Sequence, residues 1–301
     1  IGGTTGAIGD PKPNGERHIL SNEEVKKNVD SIEKQVKKIL KSDKVIFVNN
    51  STWLSKLSII EFLRDFGKNF GINYMLEKDV IKRRLETGIS YTEFSYLLLQ
   101  SIDFHYLYKN YDCKIQFGGS EQWGNITAGL ELIRKLEGEN DALGLSSPLL
   151  LKADGTKFGK SESGALWLDE NLTSPYTLYQ YFLNVEDKMV VEYLKLLTLL
   201  SVKEIEELTL SVKQEPEKRL AQIKLAEFVC EFVHGKDALN SAKKITDALF
   251  KGALTDLGEN EYKMLYSAFG KQKYEKDSQI SEDIFFSTSE TTSVVNSSII
   301  I

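Results

Sequence analysis

The sequence predicts an α/β protein: a parallel sheet with helices on both faces, followed by an all-helical domain. Three observations predict it. Up to about Ser174, short apolar runs ending in glycine or polar turns alternate with helical periodicities. Beyond Ser174 one helical periodicity follows another with no strand between them. The length of 301 residues exceeds one ordinary domain, and 41% hydrophobic residues supply a sizeable core.

The elements are read in chain order. Ile1-Gly2-Gly3, with Gly6, Gly9 and Asp10-Pro11 following, reads as a strand end running into a glycine-rich turn. Ser21 with Glu24 three residues on forms a capping signature, and Val25, Val29, Ile32, Val36 and Ile39 recur at helical spacing. The continuous apolar run Val45-Ile46-Phe47-Val48, ended by Asn49-Asn50, suits a strand buried on both faces. Helices are expected over 57–66, 79–86 and, as a long apolar and aromatic one, 91–111. Lys114 to Phe117 is a strand candidate broken by Gly118-Gly119, with Ser120 opening a helix through Leu136. Leu149-Leu150-Leu151 is a further strand candidate, and residues 152–164 form a loop bearing glycine and lysine. Helices then cover 176–184, 190–200, 202–211, 216–234 and 238–250, after which the Ser/Thr-rich end loses periodicity. The expected domains are 1–173, 174–250, and a linker or incomplete domain at 251–301.

Composition excludes several classes. A formal charge of −6 is not the footprint of a general nucleic-acid coat protein. No apolar run approaches the roughly 18 residues of a membrane span. Cys113, Cys230 and three scattered histidines fit no metal-ligand spacing.

Three constellations carry possible chemistry. Tyr96, Gln100 and Asp103 stand at i, i+4 and i+7 and share one helix face. Spacing alone leaves them either as a buried polar network with satisfied partners or as a ligand site. Gln116 to Asn125 joins a strand end, two glycines and polar side chains at a helix N-terminus, where backbone amides favour an anionic or polar ligand. A structural turn capped by Ser120 accounts for Gly118 to Ser120 but leaves Gln116, Glu121, Gln122 and Trp123 without a role. Lys157-Phe158-Gly159-Lys160-Ser161 lacks the full phosphate-binding-loop pattern. Its lysines still suit neutralising charge on a phosphate chain, or a solvated surface.

Together with the segment Gly2 to Pro11, and with the Gln116 segment continuing through Arg134, these motifs resemble the bacterial-type tyrosyl-tRNA synthetases. The resemblance is collinear from Ile1 to about Phe250. It implies a Rossmann-like class I catalytic domain that makes tyrosyl-adenylate and pyrophosphate from tyrosine and ATP, then transfers tyrosine to tRNA(Tyr). On this resemblance Asp10, Tyr96 and Gln100 hold the tyrosine ammonium with Thr5 lining the pocket. Asp103 bonds the phenolic hydroxyl, Asn50 and Gln116 support that network, and Gln122 contacts the carboxyl group. Gly119 and Glu121 match the ATP ribose pair, with Glu where the family usually has Asp. Lys157, Lys160 and Ser161 match the catalytic Lys-Met-Ser-Lys-Ser loop, Lys160 also touching ATP. Mg²⁺ would accompany ATP, with no tightly bound protein metal. The resemblance further implies a cytoplasmic homodimer built through about 57–93. It also implies a His-Ile-Gly-His-like motif and a second phenol-binding tyrosine upstream of Ile1, and an RNA-binding module beyond about Glu282. Two alternatives stay open: a non-catalytic binding or dimerising fragment, and the related tryptophanyl-tRNA synthetases.

Overall fold

A computed structural model describes residues 1–11, 19–151, 155, 158, 160–161 and 164–269. The chain divides into two compact units, Ile1–Leu149 and Leu150–Ile301. Residues 150–173, expected with the first domain, group here with the second.

In the first unit the helices are α1 (Thr5–Ile8), α2 (Asn22–Ile39), α3 (Ser51–Leu54), α4 (Ile59–Glu61), α5 (Ile72–Leu76), α6 (Asp79–Leu85), α7 (Tyr91–Tyr111) and α8 (Trp123–Glu137). The strands are β1 (Ile115–Gly119) and β2 (Leu143–Ser147). α2 starts where its capping box requires: Ser21 Oγ accepts from the Glu24 amide, and the Glu24 carboxylate accepts from the Ser21 amide at 2.8 Å. α4 runs into a π-helical turn, Phe62–Phe66, within the expected 57–66 helix. α7 has the limits read from sequence; Ser90 caps its first turn and Asp112 ends it in the left-handed region at φ 51°.

β1 and β2 pair in parallel from Ile115↔Leu143 to Gly119↔Ser147, with α8 between them in sequence. Gly118 and Gly119 therefore continue the strand they were expected to break. α8 packs tightly on this sheet because position 144 has no side chain. A Cβ there would stand 2.6 Å from Ile126 Cγ2 and 3.1 Å from Leu130 Cδ1. Ile126 and Ile133 of α8 are fully buried, and Leu54, Ile102 and Leu132 pack together where α3, α7 and α8 meet.

Two strand expectations are corrected. Val45–Val48 forms no ladder among the described residues. Ile1 bonds beside it, donating to Val48 O (2.6 Å) and accepting from the Asn50 amide (3.1 Å), and Ile46 is 71% exposed. The second correction is Leu149–Leu151: the strand pairing with β1 is the less apolar Leu143–Ser147, and Leu151 makes an isolated bridge.

The second unit contains a short antiparallel pair, β3 (Lys160–Ser161) with β4 (Gly164–Ala165), at the end of the segment 152–164 expected as a loop. The helices α9 (Pro175–Leu183), α10 (Asp187–Leu197), α11 (Val202–Gln214), α12 (Leu220–His234), α13 (Lys236–Lys251) and α14 (Glu259–Phe269) follow. Leu178, Val190, Leu194, Leu225 and Ile245 are its fully buried centre. α14 corrects the expectation of aperiodic chain after Gly252; residues 270–301 of that segment lie outside the described residues. Among the described residues no helix is long and apolar enough to cross a membrane.

Candidate active site

The first unit holds a cavity of about 320 Å³ lined by Thr5, Asn50, Trp53, Gln100, Asp103 and Gln116, with apolar walls from Val48, Phe104, Leu107, Ile115 and Phe117. It lies against β1, and α7 supplies one side.

Asp103 is the fixed point of this cavity. One carboxylate oxygen accepts from Asn50 Nδ2 at 2.8 Å and the other from Trp53 Nε1 at 2.7 Å. Asn50 is 3% exposed, and its amide is fully engaged: Nδ2 also donates to Thr5 Oγ1 (2.8 Å), and Oδ1 accepts from the Thr4 amide (2.9 Å). The Trp53 indole stacks on Tyr106 with ring centroids 4.3 Å apart. Burial pushes the Asp103 carboxyl above the usual aspartate value, against the opposing pull of the two donors. Asp103 is thus a rigid acceptor at an apolar and aromatic wall, suited to a ligand hydroxyl.

One turn earlier on α7, Gln100 joins a second network. Gln122 Oε1 accepts from Gln100 Nε2 (3.3 Å) and Asn125 Nδ2 (3.2 Å). Gln122 Nε2 donates to Asp10 Oδ2 (3.0 Å), and Asn125 Nδ2 to Asp10 Oδ1 (3.3 Å). The carboxylate of Asp10 therefore sits by the first turn of α8, where the helix dipole favours negative charge. Gln116 Oε1 is buried with no hydrogen-bond partner, an acceptor that a ligand donor would satisfy. A Cβ on Gly119 would collide with the Glu121 carboxylate, which folds back over that glycine.

The structure brings together Thr5, Asn50, Gln100, Asp103 and Gln116 at the cavity, and joins Asp10 and Gln122 to them through Gln100. Tyr96 is half-buried a turn before Gln100 and does not line the cavity. Lys157 lies outside the described residues; Lys160 and Ser161 are described only as strand backbone. Sequence reasoning missed Trp53 and Asn125. The available signals were spacings: Trp53 follows Asn50 by three residues, and Asn125 follows Gln122 by three, so each pair shares a helix face.

The family described as tRNA synthetases class I (W and Y) matches residues 1–251, and the chain belongs to it. The tyrosine–tRNA ligase of Onion yellows phytoplasma (strain OY-M) is 56% identical over 253 residues, covering 84% of this chain and 61% of that protein. Tyrosine–tRNA ligase 1 of Bacillus licheniformis is 50% identical over 285 residues, covering 93% and 68%. Among solved structures, a C-terminally truncated Aspergillus nidulans mitochondrial tyrosyl-tRNA synthetase aligns with a TM-score of 0.68 and 32% identity, covering 83% of this chain and 75% of its own. The chain thus spans 61% of the length of the phytoplasma relative.

Proposed function

We propose that the chain is the tyrosine-activating part of a tyrosine–tRNA ligase. The observation that carries this reading is Asp103, an acceptor clamped by Asn50 and Trp53 where a phenolic hydroxyl would end. The relatives' names support it at 50–56% identity. In this reading Asp10 and Gln100 face the ammonium, Tyr96 approaches it from the same helix, and Gln122 turns toward the carboxyl group. Gly119 and Glu121 hold the ATP ribose. A tyrosine carboxylate oxygen bonds to the α-phosphorus as the bond from that phosphorus to the leaving oxygen breaks, and pyrophosphate departs. The adenylate's carbonyl is then attacked by the terminal ribose hydroxyl of tRNA(Tyr), releasing AMP. No protein base is needed for the first step; catalysis is alignment and charge stabilisation, the role we give Lys157, Lys160 and Ser161. Mg²⁺ enters with the phosphates of ATP. The setting is the cytoplasm, and the catalytic region extends functionally to about residue 173.

Pyrophosphate exchange run in parallel with tyrosine and tryptophan tests the reading. Exchange with tyrosine alone is expected; exchange with tryptophan alone, or with neither, overturns it.

We further infer a homodimer through 57–93. Ile59 (72% exposed), Ile60 (63%), Ile72 (59%) and Tyr91 (69%) present apolar surface there. Sedimentation at micromolar concentration should show a dimer, and Ile60→Glu should convert it to a folded monomer. A native monomer, or a variant that stays dimeric, counts against this surface.

A further inference from the structure

We propose that Asn125 is a positioning residue that aims both Asp10 and Gln122 at the amino-acid substrate; this rests on the tyrosine-activating reading above.

The two hydrogens of the Asn125 amide match two acceptors, Asp10 Oδ1 at 3.3 Å and Gln122 Oε1 at 3.2 Å. Gln122 Nε2 closes the ring by donating to Asp10 Oδ2 at 3.0 Å. The ring decides which way the Gln122 amide faces. Its oxygen accepts from Asn125 and from Gln100, so its nitrogen is the end turned to Asp10 and to any carboxyl group beside it. Without Asn125 the oxygen loses one of two donors, and a flipped amide, oxygen toward the Asp10 carboxylate, is opposed less strongly.

Asp10 needs this support because of where it sits. It follows Gly9, whose φ of 79° marks a turn position, and it belongs to a segment without strand or helix. Asn125 by contrast stands in the first turn of α8, next to the fully buried Ile126. A rigid helix thereby orients a carboxylate carried on a turn. Among side chains of this size only Asn supplies both donors, since Asp has no amide hydrogens and adds a like charge, Ser offers one donor, and Ala offers none.

The test uses the native full-length protein and the variants Asn125→Ala, Asn125→Ser and Asn125→Asp. Tyrosine and 4-ethylphenol, which lacks both the ammonium and the carboxyl group, are titrated side by side, and exchange kinetics are measured on the same preparations. Asn125→Ala should weaken tyrosine binding about tenfold while changing affinity for the phenol by less than about twofold. KM for tyrosine should rise with kcat and KM for ATP held, Asn125→Ser should recover part of the loss, and Asn125→Asp should be worse than Ala. Equal losses for both ligands would mark a merely structural residue and overturn the proposal, as would unchanged tyrosine affinity. If Asn125→Ala does not fold, the same contrast is read from Asn125→Ser. Native protein that binds tyrosine normally while the variants show no contrast overturns Asn125 alone; native protein that binds no tyrosine overturns the tyrosine-activating reading and this proposal with it.

Discussion

Asp103→Ala should weaken tyrosine binding by roughly 10- to 100-fold, the worth of a hydrogen bond to a charged acceptor at about 1.5–3 kcal/mol. The loss has two parts. The ligand hydroxyl loses its acceptor, and Asn50 Nδ2 and Trp53 Nε1 lose the carboxylate that paired them. The variant should also discriminate poorly between tyrosine and phenylalanine, because the group that a missing hydroxyl would leave unpaired is itself gone. Isothermal titration checks this, and an unchanged dissociation constant would remove Asp103 from the site.

The same residue sets a pH dependence. Protonation removes the negative acceptor, so tyrosine affinity should fall with pH, with a midpoint above the ordinary aspartate value of 3.8 because burial raises this carboxyl. Stability moves the other way. The folded state holds this proton more readily than the unfolded chain does. The contribution of Asp103 to stability is therefore least favourable above its folded pKa and improves as pH falls through that value toward the unfolded one. Binding lost in mild acid while the fold stays intact would separate the two effects.

The largest effect on stability is expected at the buried pair Arg84 and Glu93. Their side chains are 3% and 2% exposed and lie 2.9 Å apart, and Arg84 Nε also donates to Gly88 O at 3.1 Å. Removing one partner leaves a buried charge uncompensated. Glu93→Ala should therefore cost about 3–5 kcal/mol and lower Tm by roughly 10 °C. The double replacement Arg84→Met with Glu93→Leu should recover most of that loss, since an apolar pair of similar volume leaves no charge behind. Thermal unfolding of the three proteins decides it; a single variant as stable as the native chain would show that the pair carries no weight. The consequence reaches the site because Glu93 lies in the first turn of α7, where its amide is capped by Ser90. The pair fixes how the chain approaches the helix that carries Gln100 and Asp103.

Legibility in the sequence followed the strength of local signals. α7 was readable to its end residues because its polar N-cap and long apolar body agree, and the capping box at Ser21 located α2. β2 was missed because Leu-Gly-Leu-Ser-Ser carries only two apolar side chains; it forms because Gly144 lets α8 close on the sheet, a tertiary cause invisible locally. The leucine triplet at 149–151 has the better local pattern and lacks the neighbour. In the site, the motifs supplied the resemblance and most of the polar residues. Trp53 was passed over because its neighbours Ser51, Thr52, Ser55 and Lys56 form no apolar pattern around it, and the acceptor it meets lies 50 positions away. Asn125 closed a motif without an obvious job until Asp10, 115 positions earlier, came into contact with it.

That Gln100 and Asp103 stand on one uninterrupted helix has a further consequence. Their axial separation is three helical rises, about 4.5 Å, fixed by peptide geometry and not by the reach of a loop. α7 acts as a ruler laid along the pocket, with a mark at the rim and a mark at the floor. A change of side chain at either mark alters what is recognised without altering the length that is measured.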